Sequence, residues 1–135
     1  MRRTPSDEAS RWFLQAQRDL DDARYSAAGE RFNLACFLAQ QSAEKALKAL
    51  LYYEGAEAVW GHSVAELCQD VIAIHRDLAP LATIGGPLDK YCIPTRYPNG
   101  LPGGIPSYAF VSADAQMAIS MAEQVLDTIS SKLTS

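Results

Sequence analysis

The sequence predicts an all-α fold, an antiparallel four-helix bundle with a long Pro/Gly-rich loop before its last helix. Three observations carry that prediction. Apolar residues recur at alternating three- and four-residue steps in four segments, the period of a helix that buries one face. Strand-like alternation is absent. Proline and glycine crowd residues 92–111, where neither a helix nor a central strand can persist. The 135 residues fit one domain, spanning residues 1–135.

The first helix is predicted from about Pro5 to Ala28. Thr4 is its N-cap, Pro5 suits the first helical position, and Asp7 and Glu8 complement the dipole. Ala9, Phe13, Ala16, Leu20, Ala23 and Ala27 form the buried stripe, which Trp12 widens, and Gly29 stops the helix. The second helix reads from about Arg31 to Glu54, with Gly55 as terminator. Its seam is Phe32, Cys36, Ala39, Ala43, Ala46, Leu50 and Tyr53, and small residues mid-seam allow a neighbour to approach closely. The short connection at Gly29-Glu30 makes the first two helices antiparallel neighbours.

The third helix begins at Ser63, where Ser63-Val64-Ala65-Glu66 reads as a capping box. Val64, Leu67, Val71, Ile74 and Leu78 are its stripe, and Pro80 closes it. Pro87 to Tyr91 adds a short helical turn. The last helix starts after Ser112 and buries Ala115, Ile119, Ala122, Leu126, Ile129 and Leu133. Between them, the loop from about Cys92 to Val111 carries Tyr97, Tyr108 and Phe110, which with Tyr91 just before it suggest that it packs down. Its start around Thr95 to Pro98 is expected to be ordered and its tip at Asn99 to Gly104 more mobile.

Composition removes several function classes. A hydrophobic share of 48% with 21% charged residues is globular, not disordered. A net charge of −4 argues against coating duplex nucleic acid. No apolar run is long enough to span a membrane, and the N-terminal basic residues lack the apolar core of a secretory signal. Cys36, Cys68 and Cys92 are odd in number and widely spaced, so reduced thiols and a cytoplasmic location are expected. Two histidines without clustered carboxylates give no metal site, and no phosphate-loop or dinucleotide fingerprint points to a cofactor.

Only the second helix and the long loop are net positive, and the candidate site residues lie in or near them. Gln41, Glu44, Lys45 and Lys48 form a ribbon along one edge of the second helix. By spacing alone the ribbon reads as a solvated face with a helix ion pair of about 0.3–0.5 kcal/mol. His62, just before the cap of the third helix, reads as a histidine bonded to loop backbone, or as a titratable group near Lys48 and Arg96 whose helix N-terminus favours neutral imidazole. His75 reads as surface decoration. Arg96 is the only charged residue between Lys90 and Asp114 and stands beside Tyr97. It reads equally as a clamp for phosphate or carboxylate and as a loop-pinning arginine bonded to backbone or Glu44.

The order of Trp12, Asp19-Leu20, Gln40-Gln41, Ala43-Glu44-Lys45-Ala46, Lys48-Ala49, Gly55, His62-Ser63 and Thr95-Arg96-Tyr97-Pro98 resembles the HEPN family over most of the chain. The resemblance implies a helical bundle that dimerises, and frequent pairing with a nucleotidyltransferase in toxin–antitoxin-like modules. In the family's ribonucleases an arginine is followed after four to six residues by a histidine that does acid–base chemistry on a 2′-hydroxyl. Here the corresponding positions after Arg96 hold Leu101, Pro102 and Gly103, none of which transfers a proton. The expectation is therefore a HEPN homodimer without obvious catalysis that binds a nucleotide, RNA or a nucleotidyltransferase partner. Its polar groove is formed by Gln41, Glu44, Lys45, Lys48, His62, Arg96 and Tyr97. The rival expectation is a divergent metal-independent endoribonuclease using His62 with Arg96. The resemblance further implies Tyr97 as a residue that a nucleotidyltransferase partner would modify.

Overall fold

The structure, a computed structural model, describes residues 3–59 and 63–134. In chain order it contains α1 (Pro5–Ala28), α2 (Phe32–Tyr53), α3 (Val64–Ile74), a 3-10 turn (Arg76–Leu81), α4 (Ala82–Asp89), a second 3-10 turn (Pro98–Gly100), the one-turn α5 (Pro106–Ala109) and α6 (Ser112–Leu133). No strand occurs among the described residues. The predicted all-α bundle with a long segment before its last helix is what forms.

α1 starts as its sequence dictates. The Thr4 hydroxyl accepts the Asp7 N–H at 3.1 Å, and Ala9, Ala16, Leu20 and Ala23 are buried. The exit differs from the expectation in one respect. Gly29 has a φ of −87°, and the left-handed residue is Glu30 at +62°. A side chain in that conformation costs roughly 1–2 kcal/mol. The Arg31 N–H donating to Ser26 at 2.8 Å and the Glu30 N–H donating to Ala27 at 3.0 Å hold the turn against that cost.

α2 is the central element. It is buried without a break from Ala46 to Leu51, and Ala35, Cys36, Ala39, Gln40, Ser42, Ala43 and Glu44 are buried before that. Helices α1, α6 and α3 all pack on it, so most of its middle is buried, with Gln41 and Lys45 left at a half-buried edge. The Ser42 hydroxyl donates to the Ala16 carbonyl at 2.7 Å, which fixes the register of the close α1–α2 seam. α6 starts beside the start of α2, where Asp114 lies near Cys36. It ends beside Asp77, which takes the Lys132 ammonium at 2.6 Å. α1 is therefore antiparallel to both α2 and α6.

The third helix corrects the prediction. It ends at Ile74, and the chain continues as a 3-10 turn through Pro80 instead of one helix to Leu78. His75 breaks it with an extended backbone, and its ring lies 2.9 Å from Glu54 Oε1, tying the ends of α3 and α2 together. That histidine is not mere decoration, and Ile74 is half exposed, not buried. The predicted turn at Pro87 to Tyr91 is in fact the end of α4, which begins at Ala82 and includes both Gly85 and Gly86. Gly85 lies against Ala65, so close that an added Cβ would sit 2.6 Å from the Ala65 Cα. The Ser63 hydroxyl accepts the Glu66 N–H at 3.2 Å, half of the expected capping box. The rest of the cap is tertiary: the Asp89 carboxylate accepts from Val64 N–H at 2.7 Å, Ala65 N–H at 2.9 Å and the Ser63 hydroxyl at 2.8 Å.

The segment 90–111 lies over the end of the bundle where α2 and α6 begin. Asn33 donates to the Thr95 carbonyl at 3.1 Å, and Tyr91 meets Phe110 edge-on at 6.1 Å. Pro98 and Pro106 each open a single turn of helix, the position proline tolerates. Tyr91 and Phe110 pack inward as expected, whereas Tyr108 stays in water.

Candidate functional site

The ribbon on α2 is not a solvated face. Glu44 and Lys48 are both buried, each with a side chain 6% exposed, and the Lys48 ammonium stands 3.7 Å from Glu44 Oε1. Spacing alone reads them as surface residues. The reading fails because Trp12 of α1 lies over this turn. Its ring centroid is 5.5 Å from the Lys48 nitrogen and 5.4 Å from the Tyr52 ring, which it stacks on at 25°. The indole N–H donates to Glu8 at 3.1 Å, and the Tyr52 hydroxyl accepts the Val59 N–H at 3.2 Å.

Lys45 and Gln41 lie at the rim, both half-buried. The Lys45 ammonium is 2.5 Å from Asp19 Oδ2, and the other Asp19 oxygen accepts from Gln15 at 2.8 Å. Lys45 therefore arrives already neutralised. Gln41 donates its amide to the Gln40 carbonyl oxygen at 2.8 Å, and the buried Gln40 amide nitrogen finds no acceptor among the described residues.

Arg96 sits at the other end of the strip. Its guanidinium carbon lies 4.5 Å from the centroid of Phe37 and 5.0 Å from that of Tyr97. Both arrangements are cation–π contacts, worth about 0.5–1 kcal/mol at an exposed site. Arg96 and Tyr97 are exposed, and no carboxylate among the described residues lies within ion-pair distance of Arg96. The residue before it is fixed: Thr95 is buried and its hydroxyl donates to the carbonyls of Tyr91 and Cys92. The loop is thus pinned by Thr95 and Asn33, and Arg96 has only aromatic partners, with no acidic one, among the described residues. The alternative of a loop-pinning arginine bonded to Glu44 is not what forms.

The predicted residues that the structure describes lie along one side of α2, with Arg96 and Tyr97 reaching it from the loop, and they do not converge. Phe37, under Arg96, and Lys48 are eleven residues apart on the same helix, about 16 Å at a rise of 1.5 Å per residue. The strip has an open cationic–aromatic end (Phe37, Arg96, Tyr97) and a closed end (Trp12, Glu44, Lys48, Tyr52). Gln41 lies between them. His62 falls outside the described residues, and with it the pairing of His62 and Arg96. Sequence reasoning passed over Phe37, although it precedes Gln41 by one helical turn on the same edge. It also missed the pairing of Asp19 with Lys45, which no local pattern announces across 26 residues.

The HEPN domain model matches residues 9–132, nearly the whole chain and both ends of this strip. The chain belongs to the HEPN domain family. Solved structures agree. TT1696 from Thermus thermophilus is 35% identical with a TM-score of 0.87, the match covering 93% of this chain and 98% of that one. ST0689, an archaeal HEPN homologue, is 35% identical with a TM-score of 0.77, covering 98% and 99%. A HEPN domain protein from Thermotoga maritima, TM0613, is 29% identical with a TM-score of 0.74, covering 92% and 98%. No curated protein matches the chain. Within this HEPN domain Leu101, Pro102 and Gly103 follow Arg96 at the spacing of the family's ribonuclease histidine, and residues 98–104 form a 3-10 turn and loop. Among the described residues no helix is long and apolar enough to cross a membrane.

Proposed function

We propose that this HEPN protein is a non-catalytic binding module that holds a phosphate-bearing ligand, a nucleotide or an RNA strand, at its Arg96 end. It acts as a homodimer beside a nucleotidyltransferase partner in a toxin–antitoxin-like module. One observation carries the ligand reading: Arg96 is an exposed guanidinium flanked by Phe37 and Tyr97 and matched by no carboxylate among the described residues. A guanidinium so placed keeps its donors free for phosphate oxygens, and the exposed Tyr97 ring offers a base a stacking surface. The chain's net charge of −4 suits a single local contact better than a long basic track. Without a proton-transfer group at 101–103, binding is favoured over strand cleavage.

Isothermal titration against ATP, GTP and a short single-stranded RNA tests this. Wild type should bind at least one of them, and Arg96→Ala should weaken binding about tenfold or more, the loss of one charge-assisted phosphate contact. Equal and negligible heats from both proteins would remove the proposal. Cleavage of the RNA by wild type but not by His62→Ala would replace it with the ribonuclease reading.

A further inference from the structure

Two neighbouring amides in the middle of α2 hold hydrogen-bonding capacity that the fold does not use. Gln40 is 1% exposed, and its carbonyl oxygen accepts one N–H of Gln41 at 2.8 Å. A primary amide has two N–H donors and an oxygen with two lone pairs. The Gln41 amide therefore uses one N–H on Gln40 and keeps the other, together with its oxygen, without a partner among the described residues. Gln41 itself is half-buried, at the rim. Turning both amides end for end would let the Gln40 nitrogen, which has no acceptor, donate to the Gln41 oxygen. Gln41 would still keep a donor and an acceptor in that arrangement.

The place of this amide gives it a use. Gln41 follows Phe37 by four residues on the same edge of α2, about 6 Å along the axis. Over Phe37 stands the Arg96 guanidinium at 4.5 Å, and the Tyr97 ring beside it at 5.0 Å is 47% exposed. Further along the edge the charges are already matched, Lys45 by Asp19 at 2.5 Å and Lys48 by Glu44 at 3.7 Å. A cation, an open aromatic ring and a pinned amide with one free donor and one free acceptor thus stand around a single turn of α2.

We infer that Gln41 reads the polar edge of an unpaired nucleobase whose phosphate lies on Arg96. The inference rests on the proposed phosphate site and names what the ligand carries besides phosphate. Every nucleobase presents a neighbouring donor and acceptor on its Watson–Crick edge, the complement of a primary amide, and glutamine pairs with base edges in this bidentate way. Gln40 is the positioning residue: its buried carbonyl holds the Gln41 amide, so less side-chain freedom is lost on binding. Ligands are sorted accordingly. A base inside a duplex has its edge engaged, and a bare phosphate gains only the Arg96 contact. A free nucleotide or a single strand gains both.

Isothermal titration on the full chain tests this with two ligand pairs: ATP against inorganic triphosphate, and a short single-stranded RNA against the same RNA as a duplex. In at least one pair, wild type should bind the member with an unpaired base about tenfold or more tighter. Gln41→Ala should bring the two members level while triphosphate binds as it does to wild type, whereas Arg96→Ala should weaken both. Gln40→Leu removes the pin and a buried unpaired donor together, so the protein should fold normally and lose only part of the base preference. Circular dichroism should show the same helix content in all four proteins. Equal binding of both members of each pair by wild type, or a base preference that survives Gln41→Ala, would overturn this inference and leave the phosphate site at Arg96 standing. So would a Gln41→Ala variant that loses triphosphate and ATP alike. No heat from any of the four ligands would overturn both readings.

Discussion

Lys48 lies where water barely reaches, and two neighbours enclose its ammonium. Glu44 stands one turn away at 3.7 Å, and the Trp12 ring covers the ammonium. Lys48→Ala removes the ammonium from its buried contacts with Glu44 and the Trp12 ring. It should destabilise the protein by about 1–3 kcal/mol, read as a lower urea midpoint. A Lys48→Ala midpoint equal to wild type would show that the residue is solvated after all. The residue types of this strip were legible in the sequence, but their exposure was not. Helical spacing gives direction around α2 and cannot report that a tryptophan from 36 residues upstream closes over it.

The two adjacent glycines of α4 show how an element can be set by its neighbour. Glycine pairs read as helix breakers, with each glycine about 1 kcal/mol worse than alanine, yet α4 runs through both. Gly85 is held by its packing, since a methyl group there would drive into the Ala65 backbone at 2.6 Å. Gly86 faces open space. Gly85→Ala should destabilise by about 1–3 kcal/mol through overpacking, whereas Gly86→Ala should stabilise by about 0.5–1 kcal/mol. Thermal unfolding of the pair checks the opposite signs, and the same sign from both would refute the packing account. The close approach also explains why Asp89 reaches the start of α3 and accepts three donors there. The start of α3 was legible from Ser63, but the carboxylate that completes its cap comes from 26 residues further along the chain.

The thiols report on the whole bundle. Cys36 and Cys68 are fully buried in the common core, and all three cysteines are free. Burial, with Asp114 nearby, pushes the Cys36 thiol up to about 12. Burial, with Asp89 nearby, pushes Cys68 up to about 11. A folded-state pKa above the ordinary value of 9.0 means that the native protein keeps protons which the unfolded chain releases. Stability is then complete below about pH 9 and declines as pH rises toward 11–12. Tyr91, raised chiefly by its own burial, acts in the same direction. Denaturant midpoints measured from pH 7 to 11 should fall above pH 9, and Cys36→Ala with Cys68→Ala should flatten that fall. An unchanged alkaline slope in the double variant would exclude the thiols as its cause.

The amino-acid order alone determined the helical class, the limits of α1 and α6 and the core stripes of those helices. These follow from local physics: apolar period, caps and proline positions act within a few residues of one another. The family was legible separately, from the resemblance of its motifs. Packing alone decided that α3 stops at Ile74, that α4 includes its glycines, and that Glu44 and Lys48 are enclosed. It also left Arg96 between two aromatic rings with no acidic partner among the described residues, over Phe37, which lies about 16 Å from Lys48 along α2. Each of these depends on side chains brought together from distant parts of the chain, and no short-range pattern encodes which surface another helix will cover.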